Sequence, residues 1–163
     1  MILDHTDQKL PDVWGLLFID CWDWPEHQEF HNCVVENVKK INYTSTVCSN
    51  AGNLKLSPVL ENKIFNSDTI HLNSPIEFEQ QTHAVNNWIV VGAAWAICVH
   101  HGPMGLIKTK SILDHQFYVF PNWSILTEMN EYITKKELHE DWCTWGKITN
   151  ECYRFIGGRN EAR

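Results

Sequence analysis

The chain has 163 residues, the size of one domain, and its 44% hydrophobic content is enough to bury a full core. Twenty acidic against thirteen basic residues give a formal net charge of −7, which disfavours nucleic acid as a partner because an acidic surface repels phosphate. No run reaches the roughly eighteen apolar residues of a membrane span, and the polar, acidic first twelve residues lack the basic and apolar regions of a signal peptide, so a cytoplasmic protein without membrane contact is expected.

Trp14-Gly-Leu-Leu-Phe-Ile-Asp20 is a short apolar run ending in an acid, the pattern of a strand buried on both faces of a parallel sheet. Pro25 stands at a favoured first-turn position of a helix, and Phe30, Cys33, Val34, Asn37, Val38 and Ile41 recur at three- and four-residue steps as its inward face. Tyr43–Cys48 is β-branched and reads as a second strand, followed by the turn cluster Ser49–Asn53. A short helix is expected near Ser57–Glu61, with Ser57 as its cap and Pro58 first, and Lys63–Ser67 reads as a short strand or strand end.

Ser74, Pro75 and Glu77 form a capping-box pattern that opens a helix running to about Asn87. Trp88–Ala93 is the clearest strand in the chain. A helical stretch from about Cys98 to Lys110 follows, interrupted at Gly102-Pro103, then the strand Gln116–Phe120, then a mostly helical remainder from Ser124 to Phe155. Strands alternating with helices predict a three-layer α/β/α fold of Rossmann-like type, with a mainly parallel twisted sheet. No repeat, low-complexity tract or linker divides the chain, so residues 1–163 read as a single domain.

In open parallel sheets ligands bind beyond the carboxyl ends of the strands. Asp20 ends the first strand, Lys63 lies near the third, and Gly92–Cys98 follows the fourth, so an acid, a base and a thiol are expected on one edge. These stretches resemble the motifs of the isochorismatase-like cysteine hydrolases. Phe18-Ile-Asp20 is similar to the ending of that family's first strand, Lys63-Ile-Phe-Asn-Ser67 to its K-x-x-x-S stretch, and Ile89–Val99 to its strand followed by G-x-x-x-x-x-C-V. The order is the family's, Gly92 precedes Cys98 by 98 − 92 = 6 positions as in the family, and Lys63 precedes it by 98 − 63 = 35.

The resemblance implies a metal-independent hydrolase of a small-molecule amide, ester or ether-type substrate. Cys98 is then the nucleophile, Asp20 the general base, and Lys63 the cation that favours both ionised forms. Backbone N–H groups from Ala94 to Cys98 form the oxyanion hole. Apart from the resemblance, Trp95 is placed to fill the substrate pocket or to stack on an aromatic substrate, and Trp22 follows Asp20 onto the same edge, where plain packing is the alternative to a pocket wall. Lys55 competes with Lys63, since 98 − 55 = 43 is a separation some nicotinamidase-like relatives use; the Ser at the fourth position after Lys63 favours Lys63. Relatives commonly associate, which leaves a homo-oligomer open.

The chain departs from the family at Trp95, where a small residue is usual, at Cys21–Trp24, where Gln or Asn is usual two positions after the acid, and at Pro103 inside an expected helix. These departures point to the alternative, an inactive domain of the same fold serving as a binding or regulatory module. The Ser49–Leu60 region carries no His or Asp, and His100 and His101, adjacent on a helix, diverge by about 100°, so no metal is expected. Without a G-x-G-x-x-G or P-loop after a strand, no cofactor is expected either. The six cysteines, with no C-x-x-C pair, read as mostly reduced and buried.

Overall fold

A computed structural model describes residues 3–5, 11–50, 54–80, 85–93, 106–125 and 153–155. Among these residues seven strands form one sheet: β1 (Leu3–His5), β2 (Trp14–Ile19), β3 (Tyr43–Ser49), β4 (Ile70–Leu72), β5 (Asn87–Ala93), β6 (Gln116–Ile125) and β7 (Tyr153–Phe155). Their order is β1-β7-β6-β5-β2-β3-β4. The five strands from β6 to β4 pair in parallel, and β7 and β1 add an antiparallel edge.

Four helices complete the described chain: α1 (Gln28–Val38, entered through a 3-10 turn at Pro25–His27), α2 (Pro58–Lys63), α3 (Pro75–Gln80) and α4 (Leu106–Ile112). Because side chains alternate along a strand, β2 and β5 feed two cores. Trp14, Leu16 and Phe18 join Ile89, Val91 and Tyr118 under α1 and α2, where Phe30, Val34 and Leu60 of the helices and Ile64, just after α2, close that side. On the opposite face Phe78 of α3 meets Trp88 and Phe117 edge-on, at 5.1 and 6.4 Å between ring centroids. The chain adds strands outward on one side of β2 through α1 and α2, then crosses to the other side of β2; with right-handed connections, that reversal sends the later helices to the other face.

The helix at Pro25 is present as expected, although its first turn is 3-10. Ser57 does precede α2, but its side chain makes no cap; its N–H donates to the Cys21 carbonyl at 3.0 Å and so ties the helix start to the end of β2. Glu77 accepts from the Asn73 N–H at 3.3 Å and the Ser74 hydroxyl at 3.4 Å, the contacts that hold the start of α3.

Three expectations fail. Lys63–Ser67 is not a strand: Ile64 and Phe65 both donate to the Leu60 carbonyl, and Asn66 turns the chain through its side chain onto the Asp68 N–H, so the strand comes later, at Ile70–Leu72. The helix opened at Pro75 does not reach Asn87, which already belongs to β5. The stretch from Ser124 to Phe155 is not helical at its ends, because β6 continues to Ile125 and Tyr153–Phe155 pairs with Phe117–Val119. Three-residue strands are too short for their period-two signal to be read alone.

Gly15 shows how closely the sheet is packed. It lies beside Trp88 in the register, and a Cβ placed on it would overlap Cε3 and Cζ3 of that indole. Gly15→Ala is therefore expected to destabilise the domain by about 1–3 kcal/mol through overpacking. Urea unfolding measures this, and an unchanged midpoint would show that the indole has room to move.

Candidate functional site at the carboxyl edge of the sheet

The strand order reverses at β2, whose neighbours β3 and β5 are reached by connections running in opposite directions. Ile19 pairs with Ser49 on one side and Gly92 on the other, so Asp20 stands where the two halves part. Crevices at such points are where parallel sheets bind ligands. Asp20 is only 4% exposed, and its φ of 50° lies in the left-handed region. An Asp tolerates that region better than most residues, but it is held there by its neighbours: its N–H donates to the Ser49 carbonyl at 2.9 Å and its carbonyl accepts from the Trp22 N–H at 3.0 Å.

The sharp turn at Asp20 sends Cys21 back over the sheet, where its thiol donates to the Val91 carbonyl at 3.5 Å. Burial raises the Cys21 thiol pKa well above its ordinary value, and the neighbouring Cys48 and Asp20 raise it further. Cys48 is pushed up to about 12, again by burial first and then by Asp20 and Glu61. Both thiols are free, and both are held protonated and therefore poor nucleophiles. Cys33 is disulfide-bonded and so stands apart from the expectation of mostly reduced cysteines, which Cys21 and Cys48 meet. Spacing along the chain does not report which Cα atoms fall within reach of a disulfide.

Beyond Cys21 the chain is laced to residues 54–57. Trp22 bridges Leu56, the Asp23 N–H donates to the Lys55 carbonyl at 2.9 Å, and Lys55 Nζ lies 3.6 Å from Asp23 Oδ2. The Trp22 indole N–H donates to Asn50 Oδ1 at 2.9 Å, and Asn50 Nδ2 donates to the Leu54 carbonyl at 3.3 Å. Trp22 and Trp24 pack at 5.5 Å between ring centroids, Trp24 on His27 at 5.2 Å, and His27 on His31 at 6.1 Å. This aromatic ladder runs from Trp22 past the 40%-exposed Trp24 to the buried His31.

The expected site residues are thus only partly brought together. Asp20 and Trp22 share the carboxyl edge. Cys98, Ala94 and Trp95 lie outside the described residues, as do His100, His101 and Pro103. Lys63 does not reach that edge. It closes the last turn of α2 and lines a cleft with the C-terminal half of α1 and Tyr43, the first residue of β3. Tyr43 pairs with Trp14, and Asp20 lies 20 − 14 = 6 residues further along β2, roughly 20 Å at the rise of a strand. Lys55 is the lysine at the edge. Asn50 and His31 were not singled out; Asn50 was open to the same edge rule, since it directly follows β3, and His31 to its i, i+4 spacing from His27.

Among the described residues no group of three or more His, Cys, Asp or Glu is placed to hold a metal ion, and no helix is long and apolar enough to cross a membrane. Comparisons with protein-family models, curated proteins and solved structures return no match to this chain.

Proposed function

We propose that the protein is a cysteine hydrolase of Rossmann-like, isochorismatase-like type, acting on a small-molecule amide, ester or ether-type substrate at the carboxyl edge between β2 and β5. The observation that carries this reading is Asp20: a buried acid in a left-handed conformation at the point where the strand order reverses. Ala93, the last residue of β5, follows the Gly92 that pairs with Ile19, and Cys98 is 98 − 93 = 5 positions further on. In this reading Cys98 loses its proton to Asp20 and attacks the electrophilic carbon, the leaving group takes that proton, and water then releases the product from the thiol. Lys55, through its place beside Asp23, takes the part that the resemblance gives to Lys63.

The high pKa values of Cys21 and Cys48 support the assignment indirectly, since they leave neither thiol suited to attack. The test is limited iodoacetamide labelling with peptide mapping across pH. Cys98 is expected to label first at neutral pH, with Cys21 and Cys48 protected. Lys55→Met is expected to raise the pH at which Cys98 reacts by about one pH unit, because an opposite charge within ~4–6 Å favours the thiolate. Lys63→Met should leave the profile in place. A slow Cys98, or a profile that neither substitution moves, would give the domain to the second reading, a binding or regulatory module, which the distance of Lys63 from Asp20 favours.

A further inference from the structure

We propose that the cleft between α1 and α2 is a binding site for a small amphipathic carboxylate, an acid with an apolar body. The cleft has a volume of about 490 Å³, within the range of small-molecule sites. It lies toward the amino-terminal end of the sheet, where Tyr43 begins β3 and pairs with Trp14, and it stands or falls independently of the hydrolase reading. Its apolar lining is aliphatic: Val35 and Val38, both buried along α1, and Val59 of α2. Tyr43 and Asn32 add a phenol and an amide to the walls.

The charge is what selects the ligand. Glu36 is occupied by Lys39, three residues on, at 3.1 Å. Lys63 makes no ion pair among the described residues, although it lines the same cleft. Two lysines against one glutamate leave one net positive charge over an apolar base, on a chain whose formal charge is −7. Lys63 is exposed at the rim of the cleft, so a neutral apolar molecule would gain nothing from its charge, and a small inorganic anion would leave the valines uncovered. A monocarboxylate with a short alkyl or aryl body satisfies both.

The full chain is titrated calorimetrically with octanoate, octanamide and acetate. Octanoate is expected to bind with one-to-one stoichiometry and more tightly than either of the others, and added salt should weaken octanoate alone. Lys63→Met should weaken octanoate about fivefold, the effect of one partly exposed charge pair, and leave octanamide unchanged. Lys40→Met, an exposed lysine in the turn after α1 that does not line the cleft, is the control and should change neither. Equal affinity for octanoate and octanamide, an unaltered octanoate affinity in Lys63→Met, an equal loss in Lys40→Met, or no binding at millimolar octanoate would each overturn the proposal.

Discussion

Trp88→Ala is expected to lower the unfolding free energy by about 3–5 kcal/mol, the cost of deleting a large buried aromatic side chain. The indole is fully buried and joins three elements. Its face covers Gly15 of β2, the Phe78 ring of α3 meets it edge-on at 5.1 Å, and its N–H donates to Nδ1 of His115 at 3.0 Å, with the two ring planes parallel to within 6°. The acceptor role fixes His115 as the Nε2-protonated tautomer, so the substitution also takes a donor from a positioned imidazole. Domains of this size are stable by only about 5–15 kcal/mol, so the loss would be a large share of the total. Trp88→Phe keeps most of the ring contacts and should cost less than Trp88→Ala. Chemical denaturation followed by far-UV circular dichroism measures both. A cost below about 1 kcal/mol for the alanine variant would contradict the packing of this face.

Acidification is expected to destabilise the protein through His31. This side chain is 2% exposed on α1, and its pKa is lowered from 6.5 to about 4. Burial is the main cause, the adjacent His27 adds to it, and Asp23 opposes it. The folded state therefore holds the imidazole neutral, while the unfolded chain takes up a proton near pH 6.5. Stability from this group is fully present above that pH and is lost as the pH falls toward 4. A displacement of 6.5 − 4 = 2.5 in pKa corresponds to about 3 kcal/mol. Urea unfolding of the wild type between pH 7 and pH 4 should show a loss about that much larger than in His31→Phe, which cannot titrate and can pack against Phe30. Parallel pH profiles for the two proteins would mean that His31 is hydrated in the folded state.

The two experiments probe opposite ends of the same sheet. Trp88 reports on the packing of β2 against β5 under α3, near the amino-terminal ends of those strands. His31 reports on the aromatic ladder that begins at Trp22, two residues after Asp20. A variant that loses stability at His31 without altering the Trp88 face would place its damage at the candidate site.

Much of the architecture was legible from local pattern alone. The apolar runs at Trp14–Ile19 and Trp88–Gly92 are strands buried on both faces, the β-branched Tyr43–Ser49 is a strand buried at its carboxyl end, and their alternation with helices is enough to imply a parallel sheet. The place of Asp20 at the carboxyl edge followed from the same reasoning. The strand at Ile70–Leu72 and the antiparallel pair β1 and β7 were not legible, because three-residue strands are stabilised by the partners they meet rather than by their own composition.

Local pattern was enough to fix which residues make the central strands and that an acid ends the first of them. Which lysine lies toward the carboxyl edge depends on packing: Lys55 is paired with Asp23, three residues beyond that acid, and Lys63 is not. Lys63 and Lys55 are both polar residues near a short helix, and their separations from Cys98 fit alternative patterns. The difference lies in the direction of α2, which starts at the Cys21 carbonyl and carries Lys63 away from the edge, while the backbone pairing of Asp23 with Lys55 holds Lys55 there. The chemical character of the cysteines was likewise settled by burial and by the Asp20 charge beside Cys21 and Cys48. Those are properties of packing, and no spacing along the chain reports them.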